Sequence, residues 1–224
     1  MWWLRSRRWY WKSRTKPGPL SELLHHPLPS PQSDFKECGY LAVDLETTGL
    51  NPKQDSILSI GYVAISEARL DLGTAAHQLV QVDLPIARES VTYHKISDDM
   101  AASGVPLVEA LEGFLQAMCG RVLVAHHAGI ELGFLSQACQ TLYNAPFLVP
   151  TVDTLLIERK LRMQRQQVLK PGALRLAKVR EHYHLPRYQA HHALIDAVSA
   201  GELFLAQASH MSQGKPLPLS RLLR

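Results

Sequence analysis

Cysteine is scarce in this chain of 224 residues. Cys38, Cys119 and Cys139 are an odd number without metal-ligand spacing, which excludes a disulfide scaffold or a zinc knuckle and leaves reduced, part-buried thiols. No stretch nears the ~18 uninterrupted apolar residues that cross a bilayer. No apolar run of signal-peptide length follows the N-terminal charges, so a cytoplasmic location is expected. Tryptophan is absent after residue 11. Acidic residues are missing from residues 1–16, and between Gly113 and Val152 there is a single one, Glu131. Apolar residues make up 46% and charged ones 20%, the balance of a soluble globular protein of one domain with extensions.

The gaps in charge reshape the formal net charge of +4. Six of the 24 basic residues (Arg5, Arg7, Arg8, Lys12, Arg14 and Lys16) fall in residues 1–16, leaving 18 basic against 20 acidic over the rest. The basicity belongs to an arm, and the globular part is slightly acidic. Trp2, Trp3, Trp9 and Trp11 interleave with those charges. Such a segment stacks on bases and neutralises phosphates, lies at a membrane surface, or packs its indoles on the domain. Five prolines between residues 17 and 31 then read as a linker over 17–37, interrupted by a helical turn near Ser21–His25.

From Gly39 the pattern turns to packed structure. Strands are expected at 40–46, 57–65 and 77–82, joined by short connections as an antiparallel meander. A helix is expected over 107–118, a strand over 121–125, a helix over 130–142 and a β-like run over 147–152. Asp153 caps a following helix, Pro171-Gly172 breaks the chain, and helices over 173–184 and 194–208 close it. Strands first, then strand–helix alternation without repeats, make an α/β layer fold.

The chemistry starts at Leu41-Ala42-Val43-Asp44-Leu45-Glu46-Thr47-Thr48-Gly49-Leu50. On a strand, Asp44 and Glu46 emerge on one face while Leu45 points the other way. Like charges side by side at a buried strand end repel and lose hydration. A divalent cation with oxygen ligands relieves both costs. Glu131 sits in the first turn of a helix leaving a buried strand. Asp196 stands among Ala193, Ala197 and Ala200 on the last helix, where a buried carboxylate needs a partner.

In order, Asp44-Leu45-Glu46-Thr47-Thr48-Gly49-Leu50, Val124-Ala125-His126-His127-Ala128-Gly129-Ile130-Glu131-Leu132-Gly133-Phe134-Leu135 and His191-x-Ala193-Leu194-x-Asp196-Ala197 resemble the three motifs of the DEDDh (DnaQ-like, epsilon-subunit) 3′–5′ exonucleases. The resemblance runs from about Gly39 to Ala208. It departs at motif two, which usually carries Asp where Glu131 stands and Asn where His127 stands. It implies a ribonuclease-H-like α/β fold: a mixed sheet of about five strands, the first three an antiparallel meander, flanked by helices. It also implies two divalent ions, Mg²⁺ or Mn²⁺, held by Asp44, Glu46, Glu131 and Asp196, with His191 as general base. His192 competes for that last role. Expected boundaries are an arm and linker over 1–37, an exonuclease domain over 38–210 and a basic tail over 211–224.

By the same resemblance, the Thr47 backbone, the Leu50 side chain and His94 contact the substrate, with core packing for Leu50 and a surface position for His94 as the alternatives. The implied activity is release of nucleoside 5′-monophosphates from 3′ ends of single-stranded or frayed DNA, in proofreading or repair. A polymerase subunit is a possible partner. The alternatives are a catalytically weakened nucleic-acid-binding or polymerase-docking module, and an exoribonuclease acting on short RNA.

Overall fold

In a computed structural model, which describes residues 1–82, 96, 100 and 102–224, the apolar runs of the first half become three long strands. These are β1 (Tyr40–Thr47), β2 (Ile57–Ser66) and β3 (Arg69–Leu79). With β4 (Val122–Ala125) and β5 (Thr151–Asp153) they make one sheet of order β3-β2-β1-β4-β5. Pairing is antiparallel from β1 to β3 and parallel from β1 to β5, so the expected mixed sheet with its leading meander is present. β2 is buried at nine of its ten positions because both of its faces are covered.

Two spans differ from expectation. The third strand begins at Arg69, not His77, because β2 turns back at Glu67-Ala68, both in the left-handed region with φ of 51° and 55°. That is the backbone of a two-residue hairpin turn made without the usual Asn-Gly signature. The run over 147–152 supplies only the three residues of β5; residues 146–150 pass through the core as irregular chain.

Alternation along β1 divides the interior in two. Leu41, Val43 and Leu45 face one core, which also buries residues of α1 (Trp2–Lys12), α2 (Pro19–His25), α3 (Leu107–Met118) and α4 (Gly129–Tyr143). Tyr40 and Ala42 face the other, where the Tyr40 and Phe204 rings meet at 4.6 Å. α5 (Thr154–Gln164), α6 (Leu176–His182) and the twenty-residue α7 (Ala193–Ser212) lie on that side. Asp44 and Glu46 continue the α7-facing row past Ala42, so the polar end of β1 and the start of α7 are brought together.

The flanking segments contribute to the same cores. Leu20, Leu23 and Leu24 of α2 are fully or almost fully buried, each stabilising the fold by about 1.5–3 kcal/mol. Residues 17–37, expected as a linker, therefore include a packed helix. Leu217, Leu219 and Leu222 are buried on the α7 side. α1 docks through Leu4 and through Arg8, whose guanidinium donates to the carbonyls of Leu23, Leu24, His26 and Leu148 at 2.6–3.1 Å.

Candidate active site

β1 ends at a register shift between Glu46 and Thr47, and the chain turns through Thr47–Gly49. Thr47 Oγ1 donates to the Gly49 carbonyl at 2.6 Å. Asp55 braces the returning loop, accepting from the Asn51 N–H at 2.8 Å and from Thr48 Oγ1 at 3.4 Å. A Cβ on Gly49 would lie 2.5 Å from the Asp55 carboxylate, so any larger residue there would displace that brace. The braced turn leaves Leu50 78% exposed, which excludes the core alternative for that side chain.

Asp196 reaches the same strand end because α7 starts directly on β2. Gly61 pairs with Asp44 across the β1–β2 ladder, and a Cβ on Gly61 would lie 2.2 Å from the Ala193 carbonyl carbon and the Leu194 nitrogen. The missing side chain lets the helix backbone touch the sheet. Carboxylate oxygens of Asp44, Glu46 and Asp196 then lie within 4.8 Å of one another. Burial raises all three, and neighbouring carboxylates add to it for two of them: Asp44 lies well above the carboxylate range, through burial, Glu131, Asp196 and Glu46; Glu46 lies at about 7, through burial and Asp196. Asp196 is raised by burial, with the backbone N–H groups of His191 (2.7 Å) and His192 (3.3 Å) opposing the shift.

Glu131 stands outside that trio but next to it. Its carboxyl is buried in the first turn of α4, its Oε2 has no hydrogen-bond partner among the described residues, and burial followed by the charge of Asp153 raises it to about 8. Asp153 itself is committed elsewhere. It caps α5 through the N–H groups of Leu155 and Leu156 and accepts from the His127 N–H at 3.1 Å, which makes it a structural cap. Among the described residues, none of the four clustered carboxylates pairs with Lys or Arg. A concave, all-oxygen donor set with a buried orphan oxygen beside it fits hard divalent cations.

The carboxylates open into a cleft of about 840 Å³. His191 lines it from just before α7, as the five-residue separation from Asp196 suggests, with its backbone in the left-handed region at φ 68°. The His192 ring stacks on His77 of β3 at 4.3 Å, in a neighbouring pocket that Glu46 also lines. His126 is consumed structurally, with Nε2–H donating to the Leu174 carbonyl and Nδ1 on the Thr154 hydroxyl, both at 2.8 Å. That bond ties the end of β4 to the 169–177 segment, which places Lys170 and Arg175 on the cleft wall. His94 lies outside the described residues.

Sequence reasoning missed Gly61, Lys170 and Arg175. A glycine inside a strand signals close backbone approach and could have flagged the first. The two cations stand on an irregular segment and carry no pattern.

Residues 41–204 match the model of the RNase T exonuclease family. Relatives include the PolC-type DNA polymerase III of Thermotoga petrophila, 29% identical over 173 residues, and that of Streptococcus thermophilus, 26% over 161. These matches cover 77% and 70% of this chain but only 12% and 11% of those proteins, so the chain matches about an eighth of their length. Among solved structures, exonuclease X in complex with 5′ overhanging duplex DNA superposes with TM-score 0.61 at 19% identity, over 82% of this chain and 98% of that one. Escherichia coli exonuclease I in complex with a dA16 oligonucleotide gives 0.66 at 13%, over 79% and 41%. A 3′-exonuclease with 3′-end specific recognition of a histone mRNA stem-loop gives 0.63 at 13%, over 80% and 67%.

Proposed function

The chain belongs to the RNase T exonuclease family, and from that premise we propose that it is a metal-dependent 3′–5′ exonuclease, releasing nucleoside 5′-monophosphates from single-stranded or frayed DNA ends. The observation that carries this reading is the convergence of Asp44, Glu46 and Asp196 within 4.8 Å, beside the orphaned Oε2 of Glu131.

Asp44, Glu46 and Asp196 would hold divalent cations, Mg²⁺ or Mn²⁺, with Asp44 shared between two sites and Glu131 serving the second. Bound there, such ions polarise the phosphodiester and acidify the attacking water. The protein supplies the rest. His191 accepts the proton of the attacking water on an imidazole nitrogen. Its backbone N–H, bonded to Asp196 Oδ2, holds the main chain at His191 beside the carboxylates. Lys170 and Arg175 face the cleft where backbone phosphates of the strand would pass. The exposed Leu50 and the Thr47 backbone meet the terminal nucleotide, Leu50 as a wedge against its base. DNA is the favoured substrate because the PolC-type relatives are DNA polymerases by name, which also suggests a polymerase partner. The likeness to a 3′-exonuclease that recognises histone mRNA supports a second reading, an exoribonuclease.

The test is hydrolysis of matched DNA and RNA oligonucleotides, 5′-labelled, with Mg²⁺ or Mn²⁺. Expected is a ladder shortening from the 3′ end of DNA, absent in Asp44→Asn. Faster loss of RNA would favour the second reading. Absence of hydrolysis above the Asp44→Asn level in either metal would refute both.

A further inference from the structure

Helix α1 carries features that the catalytic site does not use. Arg8 and Leu4 fix one side of it to the core, so its outward side is a rigid surface. On that side Trp2, Trp3 and Trp9 are 85%, 62% and 78% exposed, an unusual outlay of indole to water. At 100° per residue, Trp9, Trp2, Tyr10 and Trp3 form one stripe, with Arg5 along one edge and Arg7 along the other, and Arg14 in the turn after α1 lies over the Tyr10 ring at 3.8 Å. The Arg7 guanidinium lies over the Trp3 ring at 5.1 Å.

Beside this stripe runs a groove of about 510 Å³ between α1, the start of α4 and the last residues of the chain. Trp3 and Arg7 line one wall, Arg224 another, and among the described residues no acidic side chain lines it. Gly129 lines it, while the next residue, Ile130, lines the catalytic cleft, so the first turn of α4 contributes to both.

We infer that α1 and this groove are a second contact for the substrate, binding single-stranded nucleic acid on the 5′ side of the end held in the cleft. This rests on the exonuclease reading for its direction only. Exposed indole faces between guanidinium groups suit unpaired bases and their phosphates, the combination used by sequence-tolerant single-strand binders. Duplex DNA offers no free base faces to them. A lipid surface is less well matched, because the side of α1 bearing Leu4 and Trp11 is already turned to the core and the cations extend into a concave groove.

All four tryptophans lie in α1, so the emission of the intact protein reports on this helix alone. The full chain without added metal, so that nothing is hydrolysed, is titrated with dT oligonucleotides of about 4 and about 20 nucleotides, bracketing the usual site sizes. Vesicles of phosphatidylcholine and phosphatidylglycerol are titrated in parallel. The longer oligonucleotide is expected to quench the emission, with affinity falling as salt rises, and the shorter one to leave it unchanged. With Mg²⁺, the exposed-residue variant Trp2→Ser/Trp3→Ser/Trp9→Ser and the variant Arg5→Gln/Arg7→Gln should each raise KM on the longer substrate ~10-fold. Both should degrade the shorter one at the wild-type rate.

Unchanged KM on the longer substrate would overturn the inference while leaving the exonuclease reading intact. Vesicles that shift the emission to the blue, with oligonucleotides causing no quenching, would overturn it in favour of a lipid surface. Quenching by the longer oligonucleotide in a chain that hydrolyses nothing would uphold the inference and remove the exonuclease reading.

Discussion

Burial gives the Glu131 carboxyl its two opposing effects. Buried with no donor on Oε2 among the described residues, it is raised to about 8, and burial raises Glu46 within the trio to about 7. Between the ordinary carboxyl value near 4.5 and those values, the folded state binds more protons than the unfolded one, so stability falls as pH rises. Metal-free protein is therefore expected to melt at higher temperature at pH 5 than at pH 8, with saturating Mg²⁺ or Mn²⁺ flattening the slope, as read by scanning fluorimetry. A slope unaffected by metal would mean that the cations bind elsewhere. Glu131→Gln removes the buried charge and should raise the metal-free melting temperature at pH 8 while lowering kcat with Mg²⁺. His191→Ala should lower kcat by about 10²–10⁴, the range for a lost general base, with melting unchanged. The carboxylates were legible in the sequence because Asp44 and Glu46 interrupt an apolar strand and Asp196 stands among alanines. The orphaned state of Glu131 was not, since it depends on which side chains the fold packs around its Oε2. Nor was the ring stack of His192 on His77, which needs the position of β3.

At the scale of elements, the site depends on how closely α7 approaches the sheet. Gly61 fixes that distance, and a Cβ there would meet backbone, which has no rotamer to relieve the clash. Gly61→Ala should lift the start of α7, separate Asp196 from Asp44, and destabilise the fold by about 1–3 kcal/mol through overpacking. Activity should fall out of proportion to stability: at a temperature where the variant is fully folded, kcat remains at least ~10-fold low, because an ångström-scale misplacement at a reacting centre costs far more than its strain. Full activity in a folded Gly61→Ala would show that the helix start adjusts freely. The strand–helix order and mixed pairing were readable from periodicity, whereas the early start of β3 was hidden by a hairpin turn at Glu67-Ala68, residues with no turn signature. Proline count made residues 17–37 look like a linker. The periodic Leu20, Leu23 and Leu24 within it were the competing signal, and burial decided in their favour.

Over the whole molecule, the segments on either side of the motif-bearing region share its cores. α2 packs on α3, and Leu217, Leu219 and Leu222 close the α7 side. We therefore expect one cooperative unfolding transition, with tryptophan emission and far-ultraviolet circular dichroism coincident. Arg8 is the residue on which that coupling turns. Its side chain satisfies four carbonyls from α2, the residue after it and the irregular chain before β5. An apolar replacement of similar length leaves those carbonyls without a donor, at about 1–3 kcal/mol for each that water does not reach. Arg8→Met should accordingly lower stability by at least ~2 kcal/mol, and the tryptophan transition should come first, since α1 makes few other contacts. If the two signals stay coincident in Arg8→Met, then α1 is held by Leu4 and its neighbours, and the rigidity of its tryptophan face does not depend on the buried guanidinium.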